Sequence, residues 1–182
     1  ISDMVIQNCT EGGVLIEGSN VTLRNITVQN NSTSIDNGGG FRIISASNVT
    51  LKNCNILNNT VLNYNGGGIY VSDNSYVIIS NSILSNNSTS LDGGGIFVSN
   101  SNLNLNKVTI SNNTSTNHSG GGIYVTSLST VDINNSIISF NTAITGTGIW
   151  STNLENIVNI EYSDFYNIDA NNLEDECTNC SE

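Results

Sequence analysis

The sequence predicts an all-β protein, a right-handed parallel β-helix (solenoid) of about six coils with about 27 residues in each. Three observations lead to this prediction. Glycine triplets recur at a nearly constant interval, aliphatic residues occupy every second position after each triplet, and each repeat ends on asparagine. No segment shows the apolar period of a helix.

The glycine triplets set the length of the repeat. They begin at Gly38, Gly66, Gly93 and Gly120, at steps of 28, 27 and 27 residues, with weaker copies at 11–13 and 146–148. Self-similarity at such a period is typical of proteins that stack one structural unit on the next.

The aliphatic positions define two strands in each repeat. Residues that alternate along a strand point to opposite faces, so every second residue is expected to face inward. The inward positions after the triplets are Val14, Phe41, Ile69, Ile96, Ile123 and Ile149, and those of the second strand begin at Val21, Val49, Val77, Leu103, Val131 and Val158.

Paired asparagines close the repeats, at 30–31, 58–59, 86–87 and 112–113, with single residues at Asn141 and Asn167. Asparagine tolerates left-handed backbone angles, and stacked copies can form a ladder of side-chain amides. One coil cannot bury its apolar side alone, whereas stacked coils enclose a continuous core. Right-handedness follows from the general preference of parallel crossovers.

The predicted domain covers residues 1–167, and residues 168–182 form an acidic tail with two cysteines. Neither end shows an amphipathic cap, so the open strand edges are expected to meet more of the same chain or another copy, unless truncation merely lowers solubility. The chain also begins in mid-coil without a signal peptide, and we expect a preceding segment that carried one.

The composition excludes some classes of partner. Four Lys and Arg against 15 Asp and Glu give a net charge of −11, which repels nucleic acid. No run approaches the roughly 18 apolar residues of a membrane span. We expect an extracellular or cell-surface protein.

The segments Gly-Gly-Gly-Ile-Tyr-Val at 66–71 and 120–125, with Ile-Leu-Asn-Asn at 56–59 and Ile-Ser-Phe-Asn at 138–141, resemble the repeats of polymorphic outer membrane proteins. That family pairs a Gly-Gly-x-Ile motif with a Phe-x-x-Asn motif. The resemblance implies a pectin-lyase-like β-helix of surface and secreted proteins, many of them adhesins. Here Ile or Leu mostly replaces the family's Phe, and no membrane-barrel segment is present.

Polysaccharide lyases and glycoside hydrolases share such scaffolds, so an enzyme is the alternative function. The four cations, Arg24, Arg42, Lys52 and Lys107, form no rich cluster, and Asp132 with Glu161 is the best carboxylate pair. His118 is a single loop histidine. We therefore assign no catalytic residue, no metal site and no cofactor.

One outward position carries aromatic residues in four successive repeats, at Tyr70, Phe97, Tyr124 and Trp150. Exposed rings at this spacing are candidates for contact with a glycan or a cell-surface protein. The alternative is cross-strand stacking that stabilises the sheet.

Two covalent features complete the prediction. Cys9 lies near the open end and is a candidate for a disulfide with Cys177 or Cys180 of a neighbouring copy, whereas Cys54 falls at an inward position. Fourteen Asn-x-Ser/Thr sequons occur. We expect the asparagine turns to project from the coil, which makes Asn31, Asn58, Asn87 and Asn113 the glycosylation candidates. The predicted function is a structural or adhesive surface protein, self-associating through its end coils into filaments or forming part of a longer stalk.

Overall fold

The computed structural model describes residues 1–166 and consists of strands without a helix. None of these residues belongs to a helix that could span a membrane. The strands follow one another around six coils in the order β1 (Ser2–Gln7), β2 (Val14–Glu17), β3 (Asn20–Gln29), β4 (Ser32–Thr33), β5 (Phe41–Ile44), β6 (Asn48–Lys52), β7 (Asn55–Leu57), β8 (Thr60–Val61), β9 (Ile69–Val71), β10 (Tyr76–Ser85), β11 (Ser88–Thr89), β12 (Ile96–Ser99), β13 (Asn102–Ser111), β14 (Thr114–Ser115), β15 (Ile123–Thr126), β16 (Thr130–Asn134), β17 (Ile137–Ser139), β18 (Ile149–Ser151), β19 (Ile157–Glu161) and β20 (Asp164–Tyr166).

Three parallel sheets run along the solenoid. The first has ten strands and includes the order β1-β3-β6-β10-β13-β16-β19, the second has the order β18-β15-β12-β9-β5-β2, and the third is β14-β11-β8-β4. Every strand pairs with its counterpart one coil away. This arrangement confirms the predicted solenoid and its repeat.

The predicted inward positions form the core. Ile69, Ile96 and Ile123 are in register and fully buried, as are Val77 and Val131 in the first sheet. At the N-terminal end the same positions are open. Met4 is aligned with Ile26 but is 43% exposed, because within residues 1–166 its strand β1 packs against one neighbour only.

The asparagine pairs divide into one exposed and one buried residue. Asn58 and Asn86 are exposed and adopt φ angles of 54° and 57°, whereas Asn59 and Asn87 are fully buried. The left-handed angle at the first asparagine turns the chain around the corner and directs the second side chain inward. We call the buried set, Asn31, Asn59, Asn87, Asn113 and Asn141, the asparagine ladder.

The side chain of each member of the asparagine ladder bonds a carbonyl and an N–H of the preceding coil. The Nδ2 of Asn87 donates to the carbonyl oxygen of Ile56 at 2.9 Å and to the Oδ1 of Asn113 at 3.0 Å. Its Oδ1 accepts from the backbone N–H and the Nδ2 of Asn59, at 3.0 and 2.9 Å. The amide thus replaces the main-chain bonds that the turn cannot make.

The glycine triplets pack against this ladder. A Cβ on Gly68 would lie 3.1 Å from the side-chain amide of Asn87 and 2.6 Å from the carbonyl oxygen of Gly95. A Cβ on Gly94 would meet the backbone of Thr114 on the third sheet at 2.5 Å. The glycine triplets and the asparagine ladder therefore face each other across the narrow part of the coil, where only glycine fits.

Replacement of Asn87 by alanine is expected to lower the free energy of unfolding by about 3 kcal/mol or more. It leaves two buried donors of Asn59 and the carbonyl of Ile56 without partners, at roughly 1–3 kcal/mol for each group. Urea denaturation followed by circular dichroism measures the loss. Asn86→Gly is the matched control, since glycine accepts the left-handed angle of this exposed position. Equal losses in the two variants would contradict the assignment of the second asparagine as the structural one.

Candidate functional site

The four aromatic residues lie on the outer face of the second sheet. Tyr70, Phe97, Tyr124 and Trp150 are in register on β9, β12, β15 and β18, and we call them the aromatic column. The predicted alignment of these residues is therefore present in the structure.

Three rings of the aromatic column stack face to face. The centroids of Tyr70 and Phe97 are 5.2 Å apart with an interplanar angle of 8°, and those of Phe97 and Tyr124 are 5.1 Å apart at 7°. Phe97 is only 7% exposed although it points outward, because its neighbours cover both ring faces. The column presents ring edges and the hydroxyl-bearing side chains of two tyrosines. The rings therefore stack across the strands, which is the alternative that the sequence left open, and contact with a partner stays a prediction.

The first glycine of each triplet packs against the Cβ atom of the aromatic residue that follows it. Gly93 and Gly120 have φ angles of 73° and 68°. A Cβ at these positions would lie 2.9 Å from the Cβ of Phe97 and 2.7 Å from that of Tyr124. The glycine turn folds back on the strand that carries the ring, and its conformation is one that side chains with a Cβ seldom adopt.

A polar ladder borders the aromatic column at the corner before the glycines. The Oδ1 of Asn65 accepts from the N–H of Asp92 at 3.0 Å, and the Oδ1 of Asp92 accepts from the N–H of Ser119 at 3.0 Å. The sequence did not indicate this ladder, because its members are of three residue types. His118 lies above Asp92, with 3.7 Å between its Nδ1 and the Asp92 Oδ1.

Asp92 also acts on the aromatic column. Burial raises the pKa of the Tyr124 phenol, and the negative charge of Asp92 raises this pKa further. At the other end of the column, Arg42 is in register with Tyr70 and forms an ion pair with Asp36. The column is thus flanked by the carboxylate of Asp92 at one side and by the Arg42–Asp36 ion pair at one end.

The carboxylates considered for catalysis lie elsewhere, on the first sheet. Asp132 is aligned with Asn159 in the next coil, and its Oδ1 accepts from the amide of Asn159 at 2.7 Å. Glu161 is aligned with Asn134, so the two acids are offset along the strands. Among residues 1–166, no three His, Cys, Asp or Glu side chains converge as metal ligands would.

Three of the four glycosylation candidates are buried. Asn31, Asn87 and Asn113 are at most 1% exposed and belong to the asparagine ladder, so the expectation that their side chains project is wrong. Asn58 is exposed and stays a candidate. The sequence could not separate the two residues of each pair, because the backbone angle of the first decides which one points inward.

The described cysteines are both free. Cys9 is half-buried, and its N–H donates to the Oδ1 of Asn31 at 3.0 Å, so Cys9 occupies the ladder position of the first coil. Cys54 is buried, and burial raises the pKa of its thiol. The other disulfide candidates, Cys177 and Cys180, lie outside the described residues, as do Asn167 and the predicted tail. The intercopy disulfide stays a prediction.

Replacement of Asp92 by asparagine is expected to lower the pKa of Tyr124. Asparagine keeps the oxygen that accepts from Ser119 but removes the charge that opposes the phenolate. Spectrophotometric titration of the tyrosines measures the shift, and Tyr124→Phe identifies the signal while it keeps the ring. An unchanged titration in Asp92→Asn would contradict the contact.

The same pKa shift predicts how stability depends on pH. Above the ordinary tyrosine pKa of about 10 the unfolded chain loses its proton first, so the folded state binds more protons and stability falls as pH rises. The fall continues until the raised pKa of Tyr124 is passed. It should be smaller in Asp92→Asn.

Comparison with known proteins identifies the family of the chain. Residues 1–141 match the family model described as a right-handed β-helix region. No curated protein and no solved structure gives a significant match. With stacked parallel strands over six coils and a family match across most of its length, the chain belongs to the right-handed β-helix family.

Proposed function

We propose that this β-helix is an extracellular structural or adhesive element, a rod that stacks end to end on a further coil and binds a partner along its aromatic column. The open N-terminal coil carries the proposal. Among residues 1–166, strands β1 and β2 each pair with one neighbour, and their other edges offer free backbone groups. Such edges readily accept another strand.

Apolar side chains line the opening of this coil. A depression of about 350 Å³ is bordered by Val14, Ile16, Val21 and Leu23, all of which continue inward columns of the core. Ile6 packs against the same core and is half-buried. A coil beneath would cover these side chains and remove their apolar surface from water.

Charge favours contact at the ends. Acidic residues outnumber basic ones by 15 to 4, so two rods lying side by side repel each other over a long surface. Contact at the first coil instead brings its apolar opening into the interface. The resemblance of the Gly-Gly-x-Ile repeats to those of polymorphic outer membrane proteins supports a location at the cell surface.

The aromatic column supports adhesion. Its edges line up along the rod axis, and Tyr70 and Tyr124 add phenolic groups on either side of the buried Phe97. Aromatic side chains with a polar atom are enriched where proteins contact partners. The proposed partner is a glycan or a protein of a cell surface.

We expect the chain to self-associate with increasing concentration, and we expect Ile6→Lys to abolish this. A charge at the opening makes burial of the end coil costly, whereas its long side chain can still reach solvent. Light scattering after gel filtration, with electron microscopy for filaments, measures the assembly. Ile137→Lys is the control, because Ile137 points outward from β17 and is already 45% exposed. A wild-type chain that stays monomeric at its highest soluble concentration would contradict the end-to-end model.

Adhesion predicts a separate result. Double replacement of Tyr124 and Trp150 by alanine should reduce binding to a glycan array or to cells at least tenfold, because the two rings at one end of the column are lost. Tyr76→Ala is the control, since Tyr76 is an exposed tyrosine on the first sheet. Unchanged binding in the double variant would remove the aromatic column from the proposal.

A further inference from the structure

Five exposed asparagines form a column at one corner of the rod. Each has a left-handed backbone, with φ between 54° and 60°, and each opens an Asn-x-Ser/Thr sequon. We call this set the acceptor column. Its members, one for each of five successive coils, are Asn8, Asn30, Asn58, Asn86 and Asn112.

The acceptor column and the asparagine ladder differ at the atom that an N-linked glycan uses. Glycosylation replaces one hydrogen on Nδ2, and in the ladder both Nδ2 hydrogens of Asn87 and Asn113 are donated to buried acceptors. A glycan there would break the ladder. Within residues 1–166, no hydrogen bond engages the side chains of the acceptor column, which project into solvent at the bend.

We propose that the acceptor column carries N-linked glycans, and that it carries them on alternate coils, at Asn8, Asn58 and Asn112. The oligosaccharide comes from a lipid-linked pyrophosphate donor. A bond forms between Nδ2 and C1 of the first sugar, the bond from C1 to the pyrophosphate oxygen breaks, Nδ2 loses a proton, and the lipid pyrophosphate leaves. This inference rests on the extracellular location proposed above.

Crowding imposes the alternation. Neighbouring coils are about 4.8 Å apart, which is less than the width of a sugar ring with its substituents. Glycans on adjacent coils would therefore overlap at their first sugar. Two glycans separated by one empty coil have twice the distance between them.

The sequons alternate in the same way. The third residue is threonine in the sequons of Asn8, Asn58 and Asn112, and serine in those of Asn30 and Asn86. Threonine sequons are in general the better acceptors. The hydroxyls of Thr60 and Ser88 lie 3.1 Å apart on neighbouring coils, so the two kinds of sequon are direct neighbours in the folded rod.

The test is site mapping on the chain secreted from yeast behind the host's signal peptide. Peptide N-glycosidase F in ¹⁸O water converts each glycosylated asparagine into labelled aspartate, which mass spectrometry locates. We expect label at Asn8, Asn58 and Asn112, little at Asn30 and Asn86, and none in the ladder. Label at Asn31, Asn87 or Asn113 in folded protein, or an unglycosylated column, would overturn the proposal.

Single-sequon variants provide matched controls. Ser32→Ala removes the sequon of Asn30 and keeps that of Asn31, whereas Thr33→Val does the reverse, and valine already occupies the equivalent position of the next coil at Val61. Neither should change the mass of the glycoprotein by a whole glycan. Loss of a glycan in Thr33→Val would place that glycan on the buried Asn31.

Crowding is tested by clearing both neighbours of Asn86. In Thr60→Ala with Thr114→Ala, the sequons of Asn58 and Asn112 are lost, and occupancy of Asn86 should rise severalfold. Unchanged occupancy would overturn the crowding. Gel filtration of the same samples separates this inference from the proposed function. A chain that is glycosylated but does not self-associate would support the acceptor column and contradict the end-to-end model.

Discussion

The whole structure depends on side chains that hydrogen-bond the backbone of the adjacent coil at each corner. Strands satisfy their own main chain, but a left-handed bend turns an N–H out of the sheet ladder into a buried site. The asparagine ladder solves this at one corner. At a second, the N–H of Ser75 donates to the Oγ of Ser101 at 3.1 Å, and the N–H of Ser101 donates to the Oγ of Ser129 at 3.3 Å. Each coil therefore needs its neighbour for more than the burial of aliphatic side chains.

The type of ladder residue follows from the space at the corner. Asparagine reaches across the turn to a carbonyl one coil away and fills the gap in front of the glycines. The shorter serine bonds mainly its own turn: Ser47 Oγ lies 2.6 Å from the Ile44 carbonyl oxygen and 3.4 Å from that of Ile16 in the preceding coil. Cys54 replaces serine in a third such column, where its N–H still donates to the Oγ of Ser82 at 3.0 Å. A change that keeps the shape of the side chain but removes its acceptor is costly at the asparagine corner and at the serine corner, whereas the third column tolerates Val108 in register with Ser82.

The fold was predictable from the sequence because stacking places equivalent residues of successive repeats next to one another. The register of Ile69, Ile96 and Ile123 follows from the period alone. Two features of the sites did not follow. Adjacent asparagines look alike in a sequence, and only the φ of 54° at Asn58 shows that Asn59 points inward. The spacing of the rings was predictable, but their orientation was not, because parallel strands lie at nearly the distance at which aromatic rings stack and Phe97 is covered as a result.

The register between adjacent coils also explains how the coils of a chain with a net charge of −11 can stack on one another. Like charges in one column would repel at every coil, but Asp132 lies beside Asn159 and Asp3 accepts from the amide of Asn25 at 2.8 Å. The column that begins at Asp3 reaches Tyr162 in the last coil, which is 86% exposed. In the proposed end-to-end arrangement, continued register sets Tyr162 of one copy against Asp3 of the next, a phenol against a carboxylate. The register that sets an asparagine beside each of these acids within one rod would thus set a phenol, and not a second carboxylate, beside Asp3 at the junction.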